Sequence, residues 1–281
     1  MGAEKSPLLE VRDLSVTFRR GRHTFKALNG VSLEVHHGEV VAVVGESGAG
    51  KSTLGRAILG LVAVSAGSIR LEGEDIDRIR RRGRGELARR LQAVFQDPYS
   101  SLNPVRRVRW ALAEPLLVQR LPRAEILAKT SSMLVRVGLP ADAAERYPRE
   151  FSGGQRQRIA IARALMTSPK LVICDEALSA LDLSVQAQIV NLLLDLRSEL
   201  GLSYLFIAHD LAVVRHLADR VIVLRAGEIV EHGPVAQVCC APMHPYTRAL
   251  MSAAPVPDPR IEQARLSERV ATLAKVSTAV L

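Results

Sequence analysis

From Val40 to Val44 the chain runs through an unbroken apolar stretch rich in valine, stops at Gly45, and resumes after Gly50 with Leu54, Ile58 and Leu61 at helical spacing. Strand, glycine-rich loop and helix in that order constrain the fold more than any other feature. A unit of this kind belongs to a parallel sheet with helices packed on its faces. The loop, Gly45-Glu46-Ser47-Gly48-Ala49-Gly50-Lys51-Ser52, matches the pattern G-x-x-x-x-G-K-[ST] in the context the pattern needs. Its glycines let successive backbone N–H groups converge on phosphate oxygens, and the positive end of the following helix adds to them. Lys51 is expected to bridge the terminal phosphates and Ser52 to offer its hydroxyl to Mg²⁺, with Thr53 beside them. Only six of the 38 basic residues are lysine, so Lys51 does not read as background. The element reads as a nucleotide site.

The surrounding pattern is regular. Residues 8–18, 27–35 and 68–71 alternate apolar and polar, which predicts short strands of a mainly antiparallel layer. Residues 171–174, 204–208 and 221–224 are apolar runs of strand length, separated by helical stretches such as 185–200. Such alternation predicts a mostly parallel sheet. Between residues 103 and 149, Pro104, Pro115, Pro122, Pro140 and Pro148 punctuate helical patterns, so a helical insertion is expected over about residues 100–158. The expected fold class is α/β: a phosphate-loop (RecA-like), mostly parallel core with an antiparallel β layer and an inserted helical subdomain. Residues 1–235 would form this domain and 236–281 a short C-terminal extension, too small for a core of its own.

A nucleotide site of this kind needs carboxylates for the metal and the water. The run 171–174 delivers Asp175 and Glu176 at its end. Asp175 would hold Mg²⁺ through its water shell and Glu176 would orient or polarise the attacking water, although such a pair also suits a helix start, where it meets the helix dipole. Cys174 lies inside an apolar run, while Cys239 and Cys240 are adjacent, a spacing that suits neither a disulfide framework nor a metal knuckle. Reduced structural thiols are expected. The net charge of +9 fits nucleic acid, anionic lipid headgroups or a phosphate-bearing ligand equally well. The arginine-rich residues 78–90 read as a solvated helix face or loop, with contact to a membrane surface as the other reading. No apolar run approaches the roughly 18 residues that span a bilayer, and Met1 to Ser6 carry no apolar signal core, so cytosolic residence is expected.

Phe151-Ser152-Gly153-Gly154-Gln155-Arg156-Gln157-Arg158 adds a second anion site. Ser152-x-x-Gln155 is a capping box, Gly153 and Gly154 leave backbone N–H groups uncovered, and an apolar helix follows with Ile159, Ala162, Leu165 and Met166. This segment resembles the signature of the ATP-binding cassette (ABC) ATPases. Further landmarks fall in the family's order: Gln96 within Val94-Phe95-Gln96-Asp97-Pro98, the loop Ser179-Ala180-Leu181-Asp182, and His209 after an apolar strand. The resemblance covers about residues 8–260. It implies ATP with Mg²⁺, bound by Gly45, Glu46, Ser47, Gly48, Ala49, Gly50, Lys51, Ser52 and Thr53 of one subunit and by Ser152, Gly153, Gly154 and Gln155 of another. Gln96 and Asp182 would join the nucleotide site, Ser52, Gln96 and Asp175 the metal, and Glu176, His209 and Lys51 the catalysis. An aromatic residue stacks on adenine in this family, and Phe18 or Phe25 could serve, or either could be core.

Two stretches are similar to the dipeptide, oligopeptide and nickel importer branch: residues 95–104, and His244-Pro245-Tyr246-Thr247-Arg248-Ala249-Leu250 with the prolines at 255, 257 and 259. That branch implies a subunit at the cytoplasmic face of the inner membrane, held peripherally by two membrane-spanning permeases. It also implies a second ABC ATPase, as homodimer or heterodimer, and an extracytoplasmic solute-binding protein. Peptide, nickel, opine and glutathione remain equal candidates for the solute. No nucleic-acid partner is expected, since ABC-type ATPases acting on DNA or ribosomes carry long coiled-coil insertions or two ATPase domains per chain. The resemblance implies an ATP-binding and hydrolysing subunit that energises an importer of peptides or related small solutes. The family reads Pro-Thr after its catalytic glutamate where this chain has Ala177-Leu178. A following proline holds a residue extended, so its loss is expected to leave Glu176 looser and Ala177→Pro to raise the rate. A weakly hydrolysing partner subunit is the alternative this suggests. The tail lacks the cysteine cluster that some relatives use for an iron–sulfur centre, so none is expected.

Overall fold

The computed structural model describes residues 6–21, 23–97, 102–179 and 181–253. The expectations placed on Pro98 to Ser101, Ala180 and the prolines at 255, 257 and 259 lie outside these residues.

Two sheets organise the chain. Strands β1 (Leu9–Arg20), β2 (His23–Val35), β4 (Ala66–Leu71) and β5 (Glu74–Asp75) form an antiparallel sheet in the order β2-β1-β4-β5. The second sheet holds β3 (Val40–Val44), β6 (Leu91–Phe95), β7 (Leu171–Asp175), β8 (Ser203–Ile207), β9 (Arg220–Arg225) and β10 (Glu228–Pro234), in the order β10-β9-β3-β8-β7-β6. Its pairings from β9 to β6 are all parallel, and β10 closes one edge antiparallel. Both expected layers are present. Strands β5, β6 and β10 add to the expected set; β5 is only two residues long and β10 is mostly polar.

The central strands are apolar on both faces because each face carries its own core. Val40, Ala42 and Val44 join Tyr204, Phe206, Val221 and Val223 on one side. Val41 and Val43 join Leu205, Ile207, Ile222 and Leu224 on the other. That is the two-residue period of a strand, invisible in sequence when both sides are buried. The second face is covered by the antiparallel sheet and by helix α1 (Lys51–Ile58).

Helices α2 (Ile76–Arg81) and α3 (Arg84–Arg90) account for the arginine-rich stretch. Ile79 and Leu87 anchor them in the core, while Arg80 pairs with Asp77, Arg82 with Glu74 and Arg90 with Glu86 at 2.7–3.0 Å. Most of these arginines lie exposed, with part of their charge neutralised locally. Helices α4 (Val108–Leu117) and α5 (Arg123–Arg136), with two 3-10 turns at Ala141–Glu145 and Pro148–Glu150, form the helical insertion. Its expected boundary near residue 158 falls inside α6 (Gly153–Leu165), because the capping box starts a helix whose apolar face runs on to Leu165.

Helices α7 (Leu183–Leu200) and α8 (Leu211–Leu217) complete the layered core. After β10, α9 (Val235–Cys240) and α10 (Pro245–Ala253) place Val238, Cys239, Tyr246 and Met251 in the main core. The described part of the extension is therefore packed into the body of the protein. Cys174 and Cys239 are buried and Cys240 is exposed, all as free thiols. Burial, with the Asp175 carboxylate next to it, pushes the Cys174 thiol up to about 12, so it is inert at neutral pH.

Candidate functional site

The site lies where the parallel strands end. Val43 pairs with Ile207, Ile207 with Asp175, and Asp175 with Phe95, so residues far apart in the chain arrive at one level along β3, β8, β7 and β6. The loop after β3, His209 after β8, Asp175 and Glu176 at the end of β7, and Gln96 after β6 thus share one rim. In open α/β sheets this carboxyl-end rim is where ligands bind.

The phosphate loop is held from below. Gly45 has φ of +152° and a side chain there would lie 2.1 Å from the Leu224 carbonyl oxygen, so only glycine fits between β3 and β9. Lys51 is buried and its Nζ donates to the carbonyls of Gly45 at 2.8 Å and Glu46 at 2.9 Å. Burial lowers its proton affinity, opposed by the carboxylates of Glu176 and Asp175. Glu46, Ser47 and Gly48 are exposed at the crest of the loop.

Beside Lys51, the Ser52 hydroxyl donates to Oδ1 of Asp175 at 2.9 Å. Burial raises the Asp175 carboxyl, opposed by the Ser52 hydrogen bond and by Arg56 and Lys51, with the Glu176 charge adding to the rise. Two hard oxygen donors at one point, one of them a buried carboxylate, suit a divalent ion that takes oxygen ligands. Gln96 is exposed one residue past the end of β6.

Glu176 takes a left-handed backbone, φ +49°, which is uncommon for a residue with a side chain. Its N–H donates to the Ile207 carbonyl at 3.0 Å, and its carbonyl accepts from the Ser179 N–H at 3.1 Å and hydroxyl at 3.0 Å. The next turn is tied to α7, where Gln186 donates to the Leu178 carbonyl at 2.9 Å. Against the expectation of a loosened Glu176, these hydrogen bonds hold its backbone in this conformation with Ala177, rather than proline, as the following residue. Strain of this kind gathers at functional sites. Glu176 Oε1 lies 4.0 Å from Nδ1 of His209.

The signature segment is built as a helix start. Ser152 Oγ accepts from the Gln155 N–H at 3.3 Å, and Gln155 Oε1 accepts from the Ser152 N–H at 3.0 Å. Ser152 is exposed and Gly153 to Gln155 are half-exposed. Gly154 has a second duty that sequence reading missed: a side chain there would meet Val185 Cγ1 at 2.5 Å, so glycine lets α6 approach α7. Asp182 caps α7, accepting from the Val185 N–H at 2.9 Å and the Ser184 hydroxyl at 2.8 Å. The Val185 bond, then the Ser184 bond, holds its carboxyl below the usual range.

The structure thus brings Lys51, Ser52, Asp175, Glu176 and His209 together. Among the described residues, no hydrogen bond or ion pair joins Ser152–Gln155 or Asp182 to that group. Phe18 and Phe25 face each other across the β1–β2 hairpin and are 44% and 63% exposed, so neither is core. The sequence reading also missed the Ile207 carbonyl and the Ser179 hydroxyl as holders of Glu176. A polar residue three positions after the glutamate was the available signal.

The family described as ABC transporter matches residues 28–179, and the family described as oligopeptide/dipeptide transporter, C-terminal region, matches residues 230–278. The chain is 48% identical over 271 residues to the oligopeptide transport ATP-binding protein OppF of Salmonella typhimurium, covering 92% of this chain and 81% of that protein. It is 48% identical over 269 residues to the protein of the same name from Streptococcus mutans, covering 95% and 87%. Among solved structures, cbiO1 from Clostridium perfringens, part of the ABC transporter complex cbiONQ, superposes with a TM-score of 0.76 at 30% identity, over 84% of this chain and 92% of that one. A dimeric ATP-binding cassette in a post-hydrolysis state bound to ADP and Pi superposes with a TM-score of 0.71 at 28% identity, over 81% and 98%.

Proposed function

The chain belongs to the ABC transporter family of ATP-binding proteins, and on that premise we propose that it is the subunit that binds and hydrolyses ATP to energise an importer of peptides. The peptide assignment is supported by relatives named for oligopeptide transport and by the matching C-terminal region.

The roles follow from the rim. Lys51 exchanges the Gly45 and Glu46 carbonyls for the terminal phosphates of ATP, which replace the partners it now holds. Backbone N–H groups from Ser47 to Ser52 and the start of α1 receive the phosphate oxygens, with Thr53 alongside. Ser52 and Asp175 would hold Mg²⁺, with Gln96 completing the set from β6, and the ion supplies charge neutralisation on the phosphates. Glu176 orients the attacking water, and His209, across the 4.0 Å gap, hydrogen-bonds the transferred phosphoryl group. The single observation that carries this reading is the convergence of Lys51, Ser52, Asp175, Glu176 and His209 at the ends of adjacent parallel strands.

Ser152 to Gln155 offer a second anion site at the start of α6, and Asp182 caps α7, the next helix in the chain. In our reading they serve the nucleotide of a second ABC ATPase, so that two subunits enclose two ATP molecules and hydrolysis lets them part. No helix among the described residues is long and apolar enough to cross a membrane. Transport then requires permease subunits, with this chain docked peripherally at the cytoplasmic face. An open groove between the core and the helical insertion, lined by Leu61, Phe95 and Val118 together with Arg80, Glu114 and Arg163, supplies a mixed apolar and charged surface for them. A solute-binding protein outside the membrane would deliver the peptide.

Glu176→Gln tests the assignment. It keeps the side-chain shape and removes the base, so turnover should fall at least about 100-fold while ATP binding persists and an ATP-dependent dimer accumulates in size-exclusion chromatography. Full ATPase activity in that variant would overturn the reading.

A further inference from the structure

The peptide unit that joins Gly45 to Glu46 is gripped from two directions. Its carbonyl accepts from Lys51 Nζ at 2.8 Å, and its N–H donates to the phenolic oxygen of Tyr246 at 3.0 Å. Tyr246 lies 200 positions away, in α10 of the C-terminal extension, and is 9% exposed. Its own seat is defined. The Arg225 guanidinium lies 5.0 Å from the ring centroid, and Arg225 ends β9, the strand whose Leu224 already closes against Gly45. The approach to α10 is fixed to β10, where the Glu231 carboxylate accepts from the N–H groups of Met243 at 2.7 Å and His244 at 3.0 Å. The Tyr246 N–H in turn donates to Nδ1 of His244 at 3.1 Å.

The two grips differ in what happens when nucleotide arrives. Lys51 is needed by the phosphates and must leave the Gly45 and Glu46 carbonyls. Tyr246 touches the opposite end of the same peptide unit and has no reason to move. We propose that Tyr246 is a positioning residue for ATP binding: the C-terminal extension holds the first peptide of the phosphate loop in its binding orientation through the Tyr246–Glu46 hydrogen bond when Lys51 lets go. The inference rests on the phosphate loop being the ATP site. It gives the extension a task in the chemistry of the nucleotide, through a backbone contact that no motif in the loop encodes. Without the phenolic oxygen the peptide is free to rotate once Lys51 departs, and ordering it again is charged to ATP binding.

The test uses Tyr246→Phe in the full-length chain, which keeps the ring beneath Arg225 and deletes only the acceptor. Three quantities are measured: the dissociation constant for Mg-ATP by calorimetry, amide hydrogen exchange at Glu46 without nucleotide, and thermal stability. One neutral hydrogen bond corresponds to a change of about three- to tenfold. The expected result is an Mg-ATP dissociation constant raised by about that factor, faster exchange at Glu46, and a melting temperature changed by no more than about 2 °C. An unchanged dissociation constant in a variant whose wild-type parent binds ATP would overturn this inference alone. A lowered melting temperature with unchanged affinity would also overturn it, by making the contact purely structural. A wild-type chain that binds no ATP would overturn the nucleotide-site reading and this inference with it.

Discussion

The phosphate-loop rim and the signature helix both present backbone N–H groups to an anion, and they are built in opposite ways. At the rim, Lys51 and Asp175 are buried, and Ser52 bonds Asp175 while Lys51 bonds the Gly45 and Glu46 carbonyls. At the signature, the side chains of Ser152 and Gln155 bond each other's backbone across the capping box, and the segment is exposed or half-exposed. A buried charge raises the free energy of the empty site and is useful only if a ligand later relieves it, whereas a capping box stabilises its helix whether or not anything binds. The first site therefore stores its electrostatic work inside one chain. The second, in the function proposed above, is a half-site whose counterpart belongs to another subunit.

The comparison predicts which substitutions abolish binding and which abolish only assembly. The largest effect should come from Lys51→Ala, which removes a cation buried in the rim. Mg-ATP affinity or turnover should fall by at least about 100-fold, measured by calorimetry and phosphate release. Ser152→Ala should be smaller and of a different kind. Loss of the cap should destabilise the chain by about 1 kcal/mol, and ATPase activity of the paired subunits should fall about tenfold or more with the Mg-ATP affinity of the isolated chain unchanged. If Ser152→Ala weakens ATP binding to the isolated chain as much as Lys51→Ala does, the division between the two sites is wrong.

Asp175→Asn should act in the reverse direction on stability. The folded-state proton affinity of Asp175 is raised, chiefly by burial, so at neutral pH the folded chain bears the cost of an ionised group that the unfolded chain hydrates freely. That cost is present above the folded-state pKa and is relieved as the pH falls through it. Without nucleotide or Mg²⁺, Asp175→Asn should raise the melting temperature at pH 7 by about 2–4 °C, the gain shrinking on acidification, while Mg-dependent hydrolysis is lost. A melting temperature that falls at pH 7 would contradict the burial argument. The smallest effect is expected from Ala177→Pro. Glu176 is already held at φ +49° by Ile207 and Ser179, so the substitution should give no gain in ATPase rate, and a clear gain would restore the case for a loosened glutamate.

Local chemistry was legible in sequence wherever it is carried by short range. The phosphate loop needs glycine at Gly45 for steric reasons, Ser152 and Gln155 need only a three-residue spacing to cap a helix, and the valines of β3 announce a buried strand. These are interactions of neighbours, and neighbours are written in order along the chain. The same reading lost track where one residue type serves two ends. Gly154 looked like an anion-site glycine and is also the contact that admits Val185, while β10, polar along most of its length, gave no apolar signal because it is a sheet edge.

The amino-acid order by itself determined the strand–loop–helix unit, the capping box, the antiparallel layer and the residues able to hold phosphate and metal. Only the tertiary structure decided that β3 lies between β9 and β8 and that β7 lies beside β8. That strand order brings Asp175 to Ser52, His209 towards Glu176, and Tyr246 beneath the loop at Glu46. The physical reason is that parallel neighbours are joined through long crossovers, so adjacency in the sheet is set by which apolar faces pack together across the whole chain. No local spacing records it, and catalytic geometry inherits it.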